Sequence, residues 1–354
     1  MSRFFSSDYA ALTPYTPGEQ PRIQNLIKLN TNESPFPPSP KAQEYAKKAA
    51  ESLQLYSDPT AKKLHEALAE NLGVEPDEVL ATNGSDEILN FAFMAFCDKN
   101  KGAAFADLTY GFYPVFAQLN GIDYTEIPLQ DDFSIRVEDY FDLHKTIYIA
   151  NPNAPTGVFL AKSEIERILR ANPDSVVVVD EAYVDFGGES CVDLIHTYDN
   201  LLVTQTFSKS RSMAGARLGF GVGCKSLIQD LNTIKYSTNP YNVNAMTMAA
   251  GIGALEDEAY TRANCKTVME NRAWTMAELK KLGFCMPDSM TNFIFAKHKS
   301  IDGDTIYREL RARGILVRHF TLDKIKDYNR ITVGSAEQMQ ALVDALKEMT
   351  GGCQ

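Results

Sequence analysis

The chain has 354 residues and carries 35 Lys and Arg against 46 Asp and Glu, so its formal net charge at pH 7 is −11. This acidic balance argues against a nucleic-acid-binding protein, which needs a basic face. The sequence contains no apolar run of membrane-spanning length, and its N-terminus lacks the long apolar region of a signal peptide. We therefore expect a globular protein whose partners include neither nucleic acid nor a membrane.

Cysteine and histidine are dispersed along the chain. The six cysteines form no Cys-x-x-Cys pair, and the five histidines do not cluster. Scattered thiols of this kind are typical of a reduced, cytoplasmic protein. The same dispersion predicts that the protein has no metal site.

Composition and periodicity divide the chain into three parts. Residues 1–38 are irregular and rich in proline, which predicts an arm that lies over another surface. Between residues 100 and 225, short β-rich runs alternate with helical segments, so we expect an α/β large domain over residues 39–256 with a mostly parallel sheet. Residues 257–282 predict one long bridging helix, which begins a smaller α+β domain over residues 257–354.

A helix that begins at Ser85 is the first candidate binding element. It follows a short strand, and its first residues after Gly84 are Ser85 and Asp86. The free N–H groups and the positive dipole end at such a helix start suit a phosphate group. Plain helix capping by Ser85 is the alternative.

Two strand-like runs end in side chains that suit one particular chemistry. Four consecutive valines precede Asp180, and an apolar run leads to Lys209, which stands near Thr206 and Ser208. The carboxyl ends of parallel strands are where open α/β sheets bind ligands. There a lysine can form a Schiff base with an aldehyde cofactor, and an acid can pair with a pyridinium nitrogen. Taken alone, each residue would suggest a solvated lysine or a helix-capping acid.

These motifs, in this order, resemble the fold type I, pyridoxal-phosphate-dependent aminotransferases. The resemblance rests on Pro-Thr-Gly at residues 155–157 after an Asn-rich turn, then Asp180-x-x-Tyr183, Ser208-Lys209 and Arg217. It implies pyridoxal 5'-phosphate as the cofactor, a Schiff-base role for Lys209 and a pyridinium-pairing role for Asp180. Tyr183 would then contact the ring oxygen. The phosphate ligands implied in this way are Thr206, Ser208, Arg217 and the backbone of Ser85 and Asp86.

Two further cofactor contacts follow from the same resemblance. An aromatic residue of the family stacks on the cofactor ring, and we expect Tyr110 in this position, with Phe112 as its rival. Many members carry Asn directly before Pro-Thr-Gly, but this chain has Ala154. Asn153 is our choice for the replacement, and Asn151 is the alternative.

Three other stretches resemble a narrower group, the histidinol-phosphate aminotransferases. They are Pro-Tyr-x-Pro-Gly at residues 14–18, Leu-Asn-x-Asn-Glu-x-Pro at residues 29–35 and Tyr-x-Asp-Pro at residues 56–59. The resemblance implies a homodimer in which Tyr56 reaches the partner's cofactor phosphate. It also implies that Tyr15, Arg318 and Arg330 contact the substrate.

The implied activity is amino-group transfer between L-histidinol phosphate and 2-oxoglutarate in histidine biosynthesis. A threonine-phosphate decarboxylase and a broad aromatic amino-acid aminotransferase share closely similar motifs and remain alternatives. A regulator that uses this fold for sensing is the non-enzymatic alternative, and the complete catalytic set argues against it.

Overall fold

The computed structural model describes residues 2–21 and 25–351. The strands within these ranges are β1 Ile27–Lys28, β2 Val79–Thr82, β3 Ala103–Ala106, β4 Tyr124–Ile127, β5 Thr146–Ala150, β6 Val177–Asp180, β7 Leu201–Thr206, β8 Gly219–Gly223, β9 Phe284–Cys285, β10 Phe293–His298, β11 Ile315–Leu316, β12 Arg318–His319 and β13 Tyr328–Thr332. The α-helices are α1 Pro40–Ala49, α2 Lys62–Leu72, α3 Ser85–Phe96, α4 Tyr113–Leu119, α5 Lys162–Ala171, α6 Lys225–Thr238, α7 Ala245–Leu255, α8 Glu258–Lys281, α9 Gly303–Ala312 and α10 Ala336–Met349. Over the described ranges, no helix combines the length and the apolar character needed to cross a membrane.

A seven-stranded sheet forms the centre of the molecule, in the order β2-β8-β7-β6-β5-β3-β4. Strand β8 runs antiparallel to both of its neighbours, and the other pairs in the sheet are parallel. The predicted α/β class with a mostly parallel sheet is therefore confirmed. Every residue of β5, β6 and β7 is buried, as expected for strands covered on both faces.

The valine run of β6 shows how the two layers of helices are held. Val177 and Val179 belong to the apolar cluster that includes residues of α1, α2, α5 and α7. Val178 points to the opposite face and joins the cluster with residues of α3, α4 and α6. Because successive side chains of a strand alternate between faces, an unbroken apolar run stabilises both layers at once.

The carboxyl ends of the parallel strands meet at one edge of this sheet. Asp180 at the end of β6 is in register with Ala150 on β5 and Thr204 on β7. Strand β2 runs in the same direction, so the N-terminus of α3 begins at this edge as well. The loops that carry the predicted site residues therefore converge there.

The C-terminal part of the chain forms a second, smaller layer. Four antiparallel strands in the order β12-β13-β10-β9 pack with α8, α9 and α10 around a separate apolar cluster. That cluster also contains Leu29 from the N-terminal segment. The domain borders at residues 38/39 and 256/257 stay predictions.

The N-terminal arm differs from the irregular segment that its composition predicts. Strand β1 pairs in parallel with β11, since Ile27 N donates to Gly314 O at 2.9 Å and Leu29 N donates to Leu316 O at 2.7 Å. The partner strand lies almost 290 positions later in the chain, so local composition carries no signal of this pairing. The pairing attaches the arm to the smaller layer.

Candidate active site

A cavity of about 220 Å³ lies at the carboxyl edge of the central sheet. Its wall is formed by loops that follow β2, β3, β5, β6 and β7 and by the residues after β1. Many of the residues predicted from the sequence line it, namely Ser85, Asp86, Tyr110, Asp180, Tyr183, Thr206, Ser208, Lys209 and Arg217. The structure thus brings together side chains that are up to 132 positions apart in the sequence.

Lys209 provides the amine of the cavity. Its Nζ donates to the carbonyl oxygen of Thr31 at 3.2 Å and lies 5.7 Å from the ring centre of Tyr183. Burial lowers the pKa of Lys209 to about 8, and the positive charge of Arg330 acts in the same direction. A lysine with this pKa has an appreciable neutral fraction near pH 7.5, as a nucleophile or a general base requires.

Asp180 provides a buried carboxyl group, and its residue is only 5% exposed. Its Oδ2 accepts a hydrogen bond from Tyr113 OH at 3.0 Å, and its Oδ1 accepts one from Ala182 N at 3.2 Å. Burial raises the pKa of Asp180 to about 6, against the effect of these donors. The carboxyl group is therefore mostly ionised at neutral pH and is available to a positively charged ring nitrogen.

The start of α3 and Arg217 form a group of donors on another wall. Asp86 Oδ2 accepts from Arg217 Nη2 at 2.9 Å, and Asp86 Oδ1 accepts from Tyr110 OH at 2.7 Å. Gly84 precedes the helix with a φ of 80°, and a Cβ added there would lie 2.6 Å from Arg217 Nη2. Only glycine therefore lets the guanidinium approach the helix N-terminus this closely.

Thr206 and Ser208 add hydroxyl groups beside Lys209. The Thr206 hydroxyl donates to Ser208 Oγ at 3.0 Å and accepts from the Ser208 backbone N at 3.1 Å. Both residues are buried and line the cavity. Together with the helix N-terminus and Arg217, they make a donor set that suits a phosphate group.

Comparison with known proteins identifies the family of this chain. The model of the aminotransferase class I and II family matches residues 24–346. The chain is 50% identical to histidinol-phosphate aminotransferase 2 of Dechloromonas aromatica over 99% of this chain and 100% of that protein. It is 46% identical to the histidinol-phosphate aminotransferase of Brachyspira hyodysenteriae over 98% of this chain and 99% of that protein.

The chain belongs to the class I and II aminotransferases. The predicted family is therefore confirmed. The crystal structure of histidinol-phosphate aminotransferase from Sinorhizobium meliloti in complex with pyridoxal-5'-phosphate has the same fold, with a TM-score of 0.85 at 23% identity. That likeness covers 92% of this chain and 91% of the other.

The residues of the cavity fit the cofactor of this aminotransferase family. Lys209 offers an amine for an aldehyde, and the buried Asp180 offers a carboxylate for a ring nitrogen. The first two N–H groups of α3, at Ser85 and Asp86, have no hydrogen-bond acceptor among the described residues. A phosphate group would satisfy these N–H groups, so the donor set suits a phosphorylated pyridine aldehyde.

Arg318 and Arg330 are not among the residues that line the cavity, but the charge of Arg330 acts on Lys209 and Tyr183, which do line it. The two arginines stand directly opposite each other on the antiparallel strands β12 and β13, so their side chains leave the same face of the small sheet. Arg330 Nη2 donates to Asn30 O at 3.0 Å, while its buried Nε has no partner among the described residues. Burial lowers the pKa of Arg330, and the charge of Arg318 acts in the same direction. Two guanidinium groups in this arrangement suit an anion.

Tyr110 and Phe112, the two candidates for stacking on the cofactor ring, differ in their position relative to the cavity. Tyr110 lines the cavity, while Phe112 stacks on Tyr15 with ring centres 4.2 Å apart and an interplanar angle of 28°. Tyr15 is 39% exposed. Tyr110 is therefore the residue that the geometry favours for ring stacking.

Asn153 does not line the cavity. Its Nδ2 donates to Leu108 O at 3.0 Å and to Thr156 Oγ1 at 2.9 Å, and its Oδ1 accepts from Thr109 Oγ1. Asn151 is likewise bonded through its side chain to the backbone of Leu160. Asn151 thus bonds across the turn after β5, and Asn153 bonds Thr156 of that turn and the segment after β3. The predicted cofactor contact of Asn153 stays a prediction.

Tyr56 lies outside the cavity of this chain. Its ring is 85% exposed and stacks on Tyr241 with ring centres 4.7 Å apart. Its predicted contact is with a partner subunit, and this stays a prediction.

Sequence reasoning missed two residues that hold predicted site residues in place. Tyr113 donates to Asp180, and Asn32 Nδ2 donates to Tyr183 OH at 2.9 Å. Asn32 also bonds Thr332 through its backbone N and its side chain. Asn32 stands in the Leu-Asn-x-Asn-Glu-x-Pro stretch noted above, which was the available signal. No local pattern marked Tyr113 among its aromatic neighbours.

Proposed function

We propose that this enzyme transfers the amino group of L-histidinol phosphate to 2-oxoglutarate, with pyridoxal 5'-phosphate as its cofactor, in the biosynthesis of histidine. The observation that carries the proposal is the combination of two features in one site. The Lys209 amine and the Asp180 carboxyl group line the cavity, and Arg330, with Arg318 opposite it on the next strand, lies close enough for its charge to act on Lys209. The substrate is taken from the names of relatives that are 46–50% identical to this chain.

The proposed cofactor ligands divide by the part of the molecule that they hold. The phosphate is held by the helix N-terminus at Ser85 and Asp86 and by Thr206, Ser208 and Arg217. Tyr110 stacks on the ring, and Tyr183 bonds the ring oxygen. When bound, pyridoxal phosphate supplies an aldehyde for the substrate amine and a ring that takes up the electron pair from the substrate carbon.

Asp180 and Lys209 divide the proton chemistry between them. Asp180, mostly ionised at neutral pH, would pair with the ring nitrogen and favour its protonated form, which keeps the ring electron-poor. Lys209 would take the proton from the substrate carbon that bears the amino group, as general base, and would deliver it to the aldehyde carbon of the cofactor, as general acid. A pKa of about 8 suits both directions of this transfer, because both protonation states of Lys209 are populated near neutral pH.

The arginine pair gives a reason why one site accepts two different substrates. L-Histidinol phosphate carries a phosphate at the end where glutamate carries a carboxylate. A planar guanidinium binds either group through two parallel hydrogen bonds, which a lysine cannot do. We therefore assign the anionic end of both substrates to Arg318 and Arg330, with Tyr15 as a further contact.

We further propose that the enzyme is a homodimer in which Tyr56 completes the partner's site. In support, Tyr56 is held against Tyr241 yet leaves 85% of its surface exposed, and Leu53 and Leu55 nearby are also exposed. An exposed apolar group of this kind marks an interaction surface.

The cysteines support the cytoplasm as the location of the enzyme. Those that the structure describes are all free, namely Cys97, Cys191, Cys224, Cys265 and Cys285.

The proposed function is tested by Arg330→Ala. Loss of a buried charge-assisted contact should raise KM for L-histidinol phosphate and for 2-oxoglutarate by at least about tenfold. Arg308→Ala is the matched control, because Arg308 is an exposed arginine paired with Asp304 on α9. Unchanged KM and turnover for both substrates in Arg330→Ala would remove Arg330 from the site.

A further inference from the structure

The loop of residues 320–327 joins β12 to β13 and thus connects the two strands that carry the arginine pair. Ile325 in this loop is 1% exposed and belongs to an apolar cluster with Ala106, Leu108 and Leu129. These three residues come from the end of β3 and the segment after β4 in the central-sheet part of the chain. We call β12, β13 and this loop the arginine hairpin. The loop at its tip packs against the central-sheet part of the molecule.

Aromatic rings extend this contact. The ring of Phe133 lies edge-on to Phe295 at 5.5 Å and to Tyr328 at 5.4 Å between centroids. Phe295 stands opposite Arg330 in the register of β10 and β13, and Tyr328 begins β13. The packing thus joins the segment after β4 to the strand that carries Arg330.

Lys324 adds a polar connection at the same place. Its Nζ donates to Asp107 Oδ2 at 2.9 Å and to Leu129 O at 3.2 Å. Asp107 Oδ1 accepts in turn from Leu129 N at 3.0 Å, so the three residues close a ring of hydrogen bonds. Asp107 directly follows β3 and stands three residues before Tyr110, which lines the cavity.

A second lysine in the same loop makes a different contact. Lys326 pairs with Asp323 at 3.1 Å, and both residues belong to the loop itself. The side chain of Asp323 is 97% exposed, whereas that of Asp107 is 26% exposed. Of these two lysines, Lys324 is the one that links the loop to the central-sheet part.

We propose that Lys324 is a positioning residue for substrate binding. By fastening the hairpin tip to Asp107 and Leu129, it fixes the distance between the arginine pair and the wall that carries Tyr110 and Lys209. The inference deepens the proposed function and rests on it, because it takes Arg318 and Arg330 as the ligands of the substrate anion. Lys324 itself contacts neither substrate nor cofactor.

The expected effect falls on substrate affinity and spares the chemical step. Loss of Lys324 removes the polar contact of the β12–β13 hairpin and leaves its apolar packing, while Asp180 at the end of β6 and Lys209 after β7 stay in place. Since the Lys324–Asp107 pair is partly exposed, we expect KM to rise only about two- to fivefold. Salt screens such a pair, so the difference from wild type should shrink at high ionic strength.

The experiment measures kcat and KM for both substrates in the loaded wild-type enzyme and in three variants. Lys324→Met should raise KM for L-histidinol phosphate and 2-oxoglutarate about two- to fivefold and leave kcat unchanged. Lys324→Arg should restore the wild-type KM, because it keeps the charge and the reach. Lys326→Met, the matched control, should behave as wild type.

Three results would overturn the inference: an unchanged KM in Lys324→Met, a loss confined to kcat, or an equal effect in Lys326→Met. The wild-type enzyme is measured first, so that failure of the proposed function is seen separately as absence of turnover. In that case the probe becomes inorganic phosphate, whose binding to the loaded enzyme is measured by titration calorimetry. Weaker binding to Lys324→Met than to Lys326→Met would support the positioning role, and equal binding would refute it.

Discussion

The hydrogen bond from Tyr113 is the contact that most favours the ionised form of Asp180, the proposed partner of the cofactor's ring nitrogen. Tyr113 is fully buried, and its hydroxyl lies 3.0 Å from Asp180 Oδ2. Tyr113→Phe removes this donor without changing the shape of the ring. The ionised form of Asp180 then loses one of its stabilising contacts, so its pKa should rise.

The size of this rise follows from the strength of the bond. A hydrogen bond to a charged group contributes about 1.5–3 kcal/mol, and about 1.4 kcal/mol corresponds to one pKa unit. The pKa of Asp180, already raised to about 6 by burial, should therefore move up by about 1–2 units. At pH 6 the ionised fraction falls about 5- to 50-fold, whereas at pH 8.5 it changes by less than about twofold.

The assay is the affinity of the cofactor-free protein for pyridoxal phosphate as a function of pH. Only ionised Asp180 can hold the ring proton, so the loss of affinity in Tyr113→Phe should be large at pH 6 and small at pH 8.5. Tyr148→Phe is the matched control, because Tyr148 is equally buried but its hydroxyl lies next to Cys97. The reasoning is refuted by a loss that is the same at both pH values, or by an equal loss in Tyr148→Phe.

Three further predictions concern buried charge and the dimer. Lys209→Met should abolish turnover and make the cofactor-free protein more stable at pH 7. The pKa of Lys209 is about 8 in the folded protein and 10.5 in the unfolded chain. The free energy of unfolding of the wild type therefore falls by roughly 3 kcal/mol as pH falls from 10.5 to 8, and urea unfolding of the variant should not show this fall. Burial raises the pKa of Glu181 from 4.5 to about 7, so its contribution to stability is lost as pH rises through this interval. The urea midpoint of the wild type should therefore decline over this pH range, and the decline should be smaller in Glu181→Gln. An equal decline in both proteins would contradict this. Tyr56→Phe should weaken pyridoxal phosphate binding about tenfold with unchanged sedimentation, and Tyr236→Phe, also exposed, should leave binding unchanged.

The central sheet was predictable because each of its buried strands carries its own local signal. The valine run of β6 is apolar at every position, and only a strand covered on both faces requires that pattern. The positions of Asp180 and Lys209 follow, since each comes where such a run ends. Chain direction in a parallel sheet then places both at one edge.

The contacts that the sequence did not predict are those between residues far apart in the chain. The bond from Tyr113 to Asp180 spans 67 positions, and the bond from Asn32 to Tyr183 spans 151. A side chain's period and neighbours indicate which face it occupies, but they do not indicate which polar group will meet it there. Strand β1 was not predicted for the same reason, because its partner β11 lies almost 290 positions later in the chain.

Asn153 illustrates a different limit. The Asn-rich turn after β5 offers several amides to a ligand, and sequence alone does not rank them. In the folded chain, Asn153 is buried and bonded within the turn and to Leu108. These partners of Asn153 depend on backbone geometry that the sequence pattern does not display, and its contact with the cofactor stays a prediction.

If this enzyme is an aminotransferase for L-histidinol phosphate, a single half-reaction must show it. The enzyme loaded with pyridoxal phosphate is mixed with L-histidinol phosphate in the absence of any oxo acid, and its visible absorbance is followed. We expect the yellow colour to be lost and 2-oxoglutarate to restore it. An unchanged colour, together with release of carbon dioxide from threonine phosphate, would rule out this activity and identify a decarboxylase.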